Sequence, residues 1–302
     1  MEASIPNFLI IGSAKCGTTA LASILDSHPD CCFSRPKEIS YFQDTIDFQP
    51  NLNYEKGWDW YKKAFSHYNG EASIGEGTPS YSDRSRSPNT AKRIYKFNPE
   101  MRLIYMVRNP LQRQVSAWKM QYAFGKDQTR TPKTEEAWAL DGFSNWLNKQ
   151  KQVNQWDTTR FYWQLESYFD YFPQGQTIVS YLEDWRINKE SEVRRIMSFL
   201  GLNFSKWDQG IREQRNSSTE RKVPRSSVKL VLQNRYAKRL SSLLPNSVRV
   251  RLRKQLAHRS VKIPPPDIQA DDVKEFLDYV HDDSIKLHRL CGKSDDFWQK
   301  QR

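Results

Sequence analysis

The stretch Phe8-Leu-Ile-Ile-Gly-Ser-Ala-Lys-Cys-Gly-Thr-Thr-Ala-Leu21 sets the fold class. Four apolar residues, Phe8 to Ile11, have the length and composition of a buried strand. A short turn from Gly12 to Gly17 follows, and a helical pattern starts at Thr18. Strand, tight turn and helix N-terminus together make an anion cradle, because converging backbone N–H groups and the positive end of the helix dipole point to one place. Gly12 and Gly17 have the separation of the glycines in the phosphate-binding pattern Gly-x-x-x-x-Gly-Lys-Ser/Thr. Thr18, however, stands at the lysine position, and the lysine lies inside the turn as Lys15. The turn therefore reads as a cradle for an anion other than an NTP γ-phosphate.

Working outward, the same architecture recurs. Arg102 to Val107 is a second apolar run. It leads into Arg108-Asn109-Pro110 and then a helical pattern through Arg113, Ser116 and Trp118 to Phe124. Proline near a helix start is well tolerated. Thr177 to Leu182 is a third strand, followed by Glu183-Asp184 and a helix from Glu190 to Leu200 ended by Gly201. Cys31 to Ser34 and the stretch from Ser73 read as further strands. Helices are expected over Ala20 to Ser27, Tyr54 to Phe65, Thr90 to Phe97, Phe143 to Leu147, Thr159 to Phe172, Ser227 to Leu244 and Asp271 to Leu290. Gly125 to Glu136 and Arg215 to Arg225 read as polar loops, the first mobile, the second strongly basic. Strands alternating with helices predict an α/β fold: a P-loop-like three-layer arrangement with a central, mostly parallel sheet flanked by helices. Ligands on such sheets sit at the carboxyl ends of the strands, where the Gly12 turn and Arg108 both lie.

Composition narrows the function. The chain has 302 residues, with 47 Lys plus Arg against 35 Asp plus Glu, a net charge of +12. That excess favours an anionic ligand or partner. The basic residues are spread along the chain rather than grouped with aromatics, which speaks against a nucleic-acid binder. Cys16, Cys31, Cys32 and Cys291 form neither a disulfide framework nor, with the five histidines, a zinc pattern. No leader-like segment precedes Phe8, and no apolar run reaches the roughly 18–20 residues of a membrane span. A cytoplasmic chain with no membrane partner is expected, with its cysteines reduced.

Three segments resemble the cofactor-binding segments of the sulfotransferases, which use 3′-phosphoadenosine 5′-phosphosulfate (PAPS). They are Gly12 to Thr19, Arg108 with Ser116 eight residues later, and the basic loop after Asn216. The likeness extends to Glu38 ahead of Tyr41-Phe42, to Gly57-Trp58-Asp59-Trp60-Tyr61, to Leu200-Gly201 and to Asp296-Phe297-Trp298. It is similar to the branch holding the glycan (heparan sulfate) and bacterial sulfotransferases. It covers essentially all of residues 1–302 as a single domain and is weakest at 125–157, read as a variable acceptor-side insertion.

The resemblance implies roles. Ser13, Ala14, Lys15, Cys16, Gly17, Thr18 and Thr19 would hold the 5′-phosphosulfate, with Lys15 at the bridging oxygen. Charge grows on that oxygen as the S–O bond breaks, so a cation there favours the transition state over the ground state. Arg108 and Ser116 would hold the 3′-phosphate, and Asn216, Arg221, Lys222 and Arg225 would cover the nucleotide as residues 216–225 close over it. Glu38 is the expected general base and Glu76 the runner-up for acid/base work or acceptor contact. His28, before Pro29, reads as part of a helix-ending turn. Phe42, Tyr162 and Trp163 are expected at the acceptor, with Trp138, Trp146 and Trp156 as further aromatics for a pocket or core. Many glycan enzymes carry a lysine where this chain has Gly77, which favours a small-molecule acceptor over a glycan. The expected products are a sulfated acceptor and adenosine 3′,5′-bisphosphate (PAP), without a metal. A P-loop kinase is the nearest alternative; it would need an acidic Mg²⁺ ligand after a later strand, and Glu183-Asp184 has that placement.

Overall fold

The computed structural model describes residues 5–46, 49–127, 131–208, 220–224 and 258–300. Its strands are β1 (Phe8–Gly12), β2 (Cys31–Phe33), β3 (Thr45–Ile46), β4 (Gln49–Pro50), β5 (Ser73–Gly77), β6 (Arg102–Val107), β7 (Thr177–Tyr181), β8 (Glu220–Pro224) and β9 (His258–Lys262). Its helices are α1 (Thr18–Asp26), α2 (Trp58–Tyr61), α3 (Thr90–Phe97), α4 (Pro110–Gly125), α5 (Thr134–Leu140), α6 (Phe143–Gln152), α7 (Phe161–Phe169), α8 (Leu182–Leu200) and α9 (Ala270–Leu290). The chain divides into two compact units. One comprises Met1–Arg113, Asn154–Arg215 and Leu277–Arg302; the other comprises Gln114–Val153 and Asn216–Phe276.

The first unit holds a five-stranded sheet of order β2-β5-β1-β6-β7, in which every pairing is parallel. Helices flank the sheet, as the alternation of elements predicts. β1 is central because every residue from Phe8 to Ile11 is wholly inaccessible to solvent. An unbroken apolar run is what a strand covered on both faces requires. β6 lies beside β1 in register Phe8↔Arg102 to Ile10↔Ile104, so both strand–turn–helix crossings open at the same sheet end.

The second unit packs around Trp118, whose indole donates to the Ala139 carbonyl at 3.0 Å and whose ring meets Phe143 edge-on. Ser144 Oγ donates to the Asp267 carbonyl at 2.8 Å, tying α6 to the chain before α9. β8 and β9 pair antiparallel, Arg221 opposite Val261 and Lys222 opposite Ser260.

Several elements differ from expectation. Tyr54 to Phe65 is not one helix: α2 is four residues long, between 3₁₀ turns at Tyr54–Lys56 and Lys62–Phe65. Its aromatics pack in several directions, with Tyr61 stacked on Tyr41 at 4.3 Å and Trp58 against Phe97, a demand one straight helical stripe does not meet. The expected Thr159–Phe172 helix is shorter, α7 ending at Phe169. The stretch read as a mobile loop over Gly125–Glu136 gives way to α5 at Thr134, where Glu136 reaches back to accept the Lys133 N–H at 2.8 Å. α8 begins at Leu182, directly after β7, with Asn188 as a non-helical interruption. Within the expected basic loop, Glu220–Pro224 is a strand. The expected Ser227–Leu244 helix lies outside the described residues.

Candidate active site

The first crossing runs from β1 to α1. Glycine is required at Gly12, because a Cβ there would overlap Ser82 Oγ and come within 2.9 Å of the Tyr105 ring. Gly17 takes φ +95°, and a Cβ would also meet Leu182 Cδ1 at 2.9 Å. Between them the chain turns tightly: Ser13 N–H donates to the Met106 carbonyl at 2.7 Å, and Cys16 N–H to the Ser13 carbonyl at 3.2 Å. Lys15 holds φ 72°, a left-handed backbone unusual for a side chain of its size. Among the described residues, no side chain caps α1. Among the described residues, the N–H groups of Gly17, Thr18 and Thr19 donate to no backbone carbonyl. The cradle is thus lined by unengaged donors at the positive end of a nine-residue helix.

Cys16 lies under this turn. Arg113, Arg108 and Lys15 all favour its thiolate, yet burial outweighs them and pushes the thiol up to about 12. It is a neutral packing residue rather than a nucleophile.

The second crossing runs from β6 to α4 and carries Arg108. Its guanidinium makes two long contacts, Nη1 to the Lys15 carbonyl at 3.5 Å and Nη2 to Gln112 Oε1 at 3.4 Å. Its Nε is buried with no hydrogen-bond partner. Burial lowers its pKa, and among the described residues no carboxylate lies within ion-pair distance of it. The turn beneath is pinned. Asn109 N–H donates to Glu183 Oε1 at 3.0 Å, the Trp298 indole donates to Glu183 Oε2 at 3.2 Å, and Asn109 Nδ2 donates to the Trp298 carbonyl at 3.3 Å. Asn109 Oδ1 accepts the Gln112 N–H at 3.1 Å, closing the start of α4.

Arg113 escaped the sequence reading as a site residue. It is 7 % exposed, and its Nε donates to the Ala14 carbonyl at 3.3 Å while Nη1 donates to Thr159 Oγ1 at 3.2 Å. It joins α4 to the back of the cradle. A signal for it existed: a cation near a helix N-terminus opposes the dipole, so it needs another reason to be there.

The two candidate carboxylates have opposite surroundings. Glu38 is exposed and pairs with Lys37 Nζ at 2.7 Å. Glu76 is wholly inaccessible to solvent, at the end of β5. Its Oε1 accepts from the hydroxyls of Tyr81 at 2.6 Å and Tyr61 at 3.0 Å; its Oε2 accepts from Thr78 Oγ1 at 2.6 Å and the Ile39 N–H at 3.4 Å. Burial raises its pKa, against the lowering effect of those donors. Phe42, expected at the acceptor, is also wholly buried, its ring edge-on to Tyr61, Tyr81 and Phe97. Both residues belong to the core rather than to an open pocket.

His28 is a satisfied core histidine. Its Nδ1 accepts the Asp30 N–H at 3.1 Å, which leaves Nε2 as the donor to the Asn203 carbonyl at 3.0 Å. Tyr162 and Trp163 open α7, their N–H groups held by Asp283 at 3.0 and 2.8 Å. Burial pushes that carboxyl up to about 6. The guanidiniums of Arg84 and Arg160 lie over the Trp163 ring, 4.7 and 5.0 Å from its centre. Trp146 and Trp156 are buried, Trp138 half-buried. Ser116, Arg221 and Lys222 belong to the second unit, the first on α4 and the others on β8. Asn216 and Arg225 lie outside the described residues.

The acidic pair after β7 is engaged within the protein: Glu183 as above, and Asp184 through Lys293 Nζ at 2.9 and 2.8 Å to its two oxygens. The pair does not present the open ligand set that a kinase reading requires. Among the described residues no group of three or more His, Cys, Asp or Glu side chains could hold a metal. Among them, too, no helix is long and apolar enough to cross a membrane.

Comparison with known proteins identifies the fold and the family. A crystal structure of a sulfotransferase from Alicyclobacillus acidocaldarius superposes with a TM-score of 0.63, covering 98 % of this chain and 99 % of that one at 21 % identity, which shows a shared fold. The membrane-associated sulfotransferase kil1 of Dictyostelium discoideum is 37 % identical over 117 residues, 38 % of this chain and 22 % of that protein. Mouse (Mus musculus) heparan sulfate glucosamine 3-O-sulfotransferase 5 is 30 % identical over 173 residues, 57 % of this chain and 46 % of that protein. The chain thus spans less than half the length of these two curated relatives. The sulfotransferase domain model matches residues 6–259, and on that match the chain belongs to the sulfotransferase family.

Proposed function

We propose that this protein transfers a sulfuryl group from PAPS to a hydroxyl or amino group of a small-molecule acceptor. The observation that carries the reading is the half-buried Arg108 guanidinium, whose Nε is shut off from solvent. Among the described residues it has an orphaned Nε and no carboxylate partner, and it contacts the carbonyl of Lys15 in the cradle between β1 and α1. A partly desolvated cation without a counter-ion is costly unless an anion completes it. PAPS offers such anions at both ends. When bound it supplies the sulfuryl group, whose S–O bond to the bisphosphate breaks as the acceptor atom bonds to sulfur.

The N–H groups of Gly17, Thr18 and Thr19 bind and orient the 5′ end, and Lys15 neutralises the charge that develops on the leaving oxygen. Arg108 holds the 3′-phosphate as a charge-assisted fork. Glu38, exposed and already beside a lysine, takes the proton from the attacking O–H or N–H. General-base help of this kind contributes roughly 10²–10⁴ in rate.

Gly77 supports a small acceptor. A Cβ there would sit 3.3 Å from Phe33 and 3.4 Å from Ile10, so a side chain at this position would require those neighbours to give by a few tenths of an ångström. A glycan acceptor is the second reading, favoured by the heparan sulfate enzymes among the relatives.

PAP is expected to raise the Tm while ATP with Mg²⁺ does not; the reverse result removes the cofactor assignment. A screen of phenols, amines, hydroxylated metabolites and oligosaccharides with radiolabelled PAPS separates the acceptor classes. Glu38→Gln is expected to keep PAP affinity and lose transfer, and full turnover in that variant removes it as the base.

A further inference from the structure

The segment after Glu38 is held in an unusual way. Its four consecutive N–H groups find their acceptors on side chains of one constellation. Ile39 N–H donates to Glu76 Oε2 at 3.4 Å, and Ser40 N–H to Thr78 Oγ1 at 3.2 Å. Tyr41 and Phe42 N–H both reach the Tyr81 hydroxyl, at 2.9 and 3.4 Å. A hydroxyl that accepts such bonds must send its own proton elsewhere. Thr78 and Tyr81 both send theirs to Glu76, at 2.6 Å each. Ionised, a carboxylate only accepts, with room for about four donors on its two oxygens. Glu76 has four, counting the Tyr61 hydroxyl at 3.0 Å.

The direction of every bond in this shell therefore follows from one buried carboxylate. Remove its charge and the hydroxyls lose their reason to present lone pairs to the Ser40–Phe42 backbone. The backbone needs that grip: Ser40 takes φ 56°, a left-handed conformation that a non-glycine residue keeps only when its surroundings impose it. The Gly77 N–H adds one more tie, to the Lys37 carbonyl at 3.3 Å.

We propose that Glu76 is a positioning residue for sulfuryl transfer: through the hydroxyls of Thr78 and Tyr81, and directly at Ile39, it fixes the backbone that carries Glu38. This rests on the reading of Glu38 as the base. It replaces the expectation that Glu76 touches the acceptor, since its oxygens are enclosed and engaged.

The shell contains its own control. Tyr81 touches both Glu76 and the segment, whereas the Tyr61 hydroxyl touches Glu76 alone. Tyr81→Phe and Tyr61→Phe remove the same atom from the same carboxylate. A purely structural role lowers the Tm and kcat of both together. The positioning role lowers kcat in Tyr81→Phe, with PAP affinity unchanged, and leaves Tyr61→Phe near normal.

The experiment measures kcat, acceptor KM, PAP affinity and Tm for Glu76→Gln, Thr78→Val, Tyr81→Phe, Tyr61→Phe, Glu38→Gln and the Glu38→Gln/Glu76→Gln pair. Misplacing a reacting group by about 1 Å costs on the order of 100-fold, which is the loss of kcat expected for Glu76→Gln. In the Glu38→Gln background the same change should cost almost nothing further, because no base remains to be placed. Equal losses in the two tyrosine variants, or a Glu76→Gln cost that multiplies with Glu38→Gln, overturn the inference while leaving Glu38 in its role. Full turnover in the single Glu38→Gln variant overturns the base assignment and this inference with it. Should Glu76→Gln fail to fold, the tyrosine pair and Thr78→Val decide the matter.

Discussion

Two strand–turn–helix crossings lie side by side in the central sheet, and they present positive potential by opposite means. At β1–α1 it comes from the backbone. Small residues let the chain turn tightly, and the helix start is left without a cap. At β6–α4 it comes from one side chain, Arg108, over a turn that Asn109 does cap. The first crossing depends on what is absent: side chains at positions 12 and 17, and a capping group. The second depends on what is supplied from far along the chain, because Glu183 and Trp298 hold the turn that aims Arg108. Backbone donors are local and hard to remove by mutation, whereas a side-chain cation is only as well placed as its distant supports.

Four measurements press on that contrast. Lys15→Ala removes the one charged side chain of the backbone-built crossing. A loss of about 10²–10³ in single-turnover transfer is expected, typical of removing one transition-state donor, with PAP affinity little changed. A near-normal rate would mean that the N–H groups alone serve the leaving group. Arg108→Ala should act on binding instead. Losing a hydrogen bond to a charged group, worth about 1.5–3 kcal/mol, weakens PAP binding by roughly 10–100-fold in calorimetry. An unchanged Kd would move the second anion site away from this turn.

Glu183→Gln tests the distant support. One of its two acceptor oxygens becomes a donor facing an N–H, which costs about 1–3 kcal/mol of stability and shows as a lower Tm. PAP affinity should fall severalfold as Arg108 loses its aim; a lower Tm with unchanged affinity would make Glu183 purely structural. The smallest effect belongs to Cys16. Its thiol is pushed up from 9.0 to about 12 by burial. The sign follows from linkage: the native thiol keeps its proton longer than the unfolded one, so its contribution is intact at low pH and is lost only as pH rises from 9.0 toward 12. Cys16→Ser should leave the activity profile between about pH 6 and 9 unchanged, and the native protein should resist iodoacetamide at Cys16. Rapid alkylation there would mean that the neighbouring cations outweigh burial.

Much of this was legible along the chain. β1 and the body of β6 are continuous apolar runs, and a run with no polar face has few fates other than a strand covered on both sides. The glycine pair and Arg108 stand at the ends of such runs, so their common location follows from a parallel sheet. Elements whose form depends on partners were harder. Tyr54 to Phe65 has helical spacing, yet its rings answer to Tyr41 and Phe97 rather than to one groove. β8 lies in a polar, basic stretch and is a strand because β9 pairs with it. α5 was masked by a polar composition, although Glu136 at the third helical position was a readable start signal.

What the sequence determined by itself is the strand–turn–helix form of the two crossings in a parallel sheet, because it rests on local rules: apolar run, tight turn, helix start. The contrasting surroundings of the two glutamates were decided only in three dimensions. Glu38 and Glu76 are the same residue type, and each stands a few residues ahead of a tyrosine in the chain, Tyr41 and Tyr81. One emerges to meet a lysine and solvent; the other is enclosed by hydroxyls from Tyr61, Thr78 and Tyr81. A carboxylate's chemistry is set by which donors surround it and how far water is excluded, and both are properties of the packed fold rather than of neighbours along the chain.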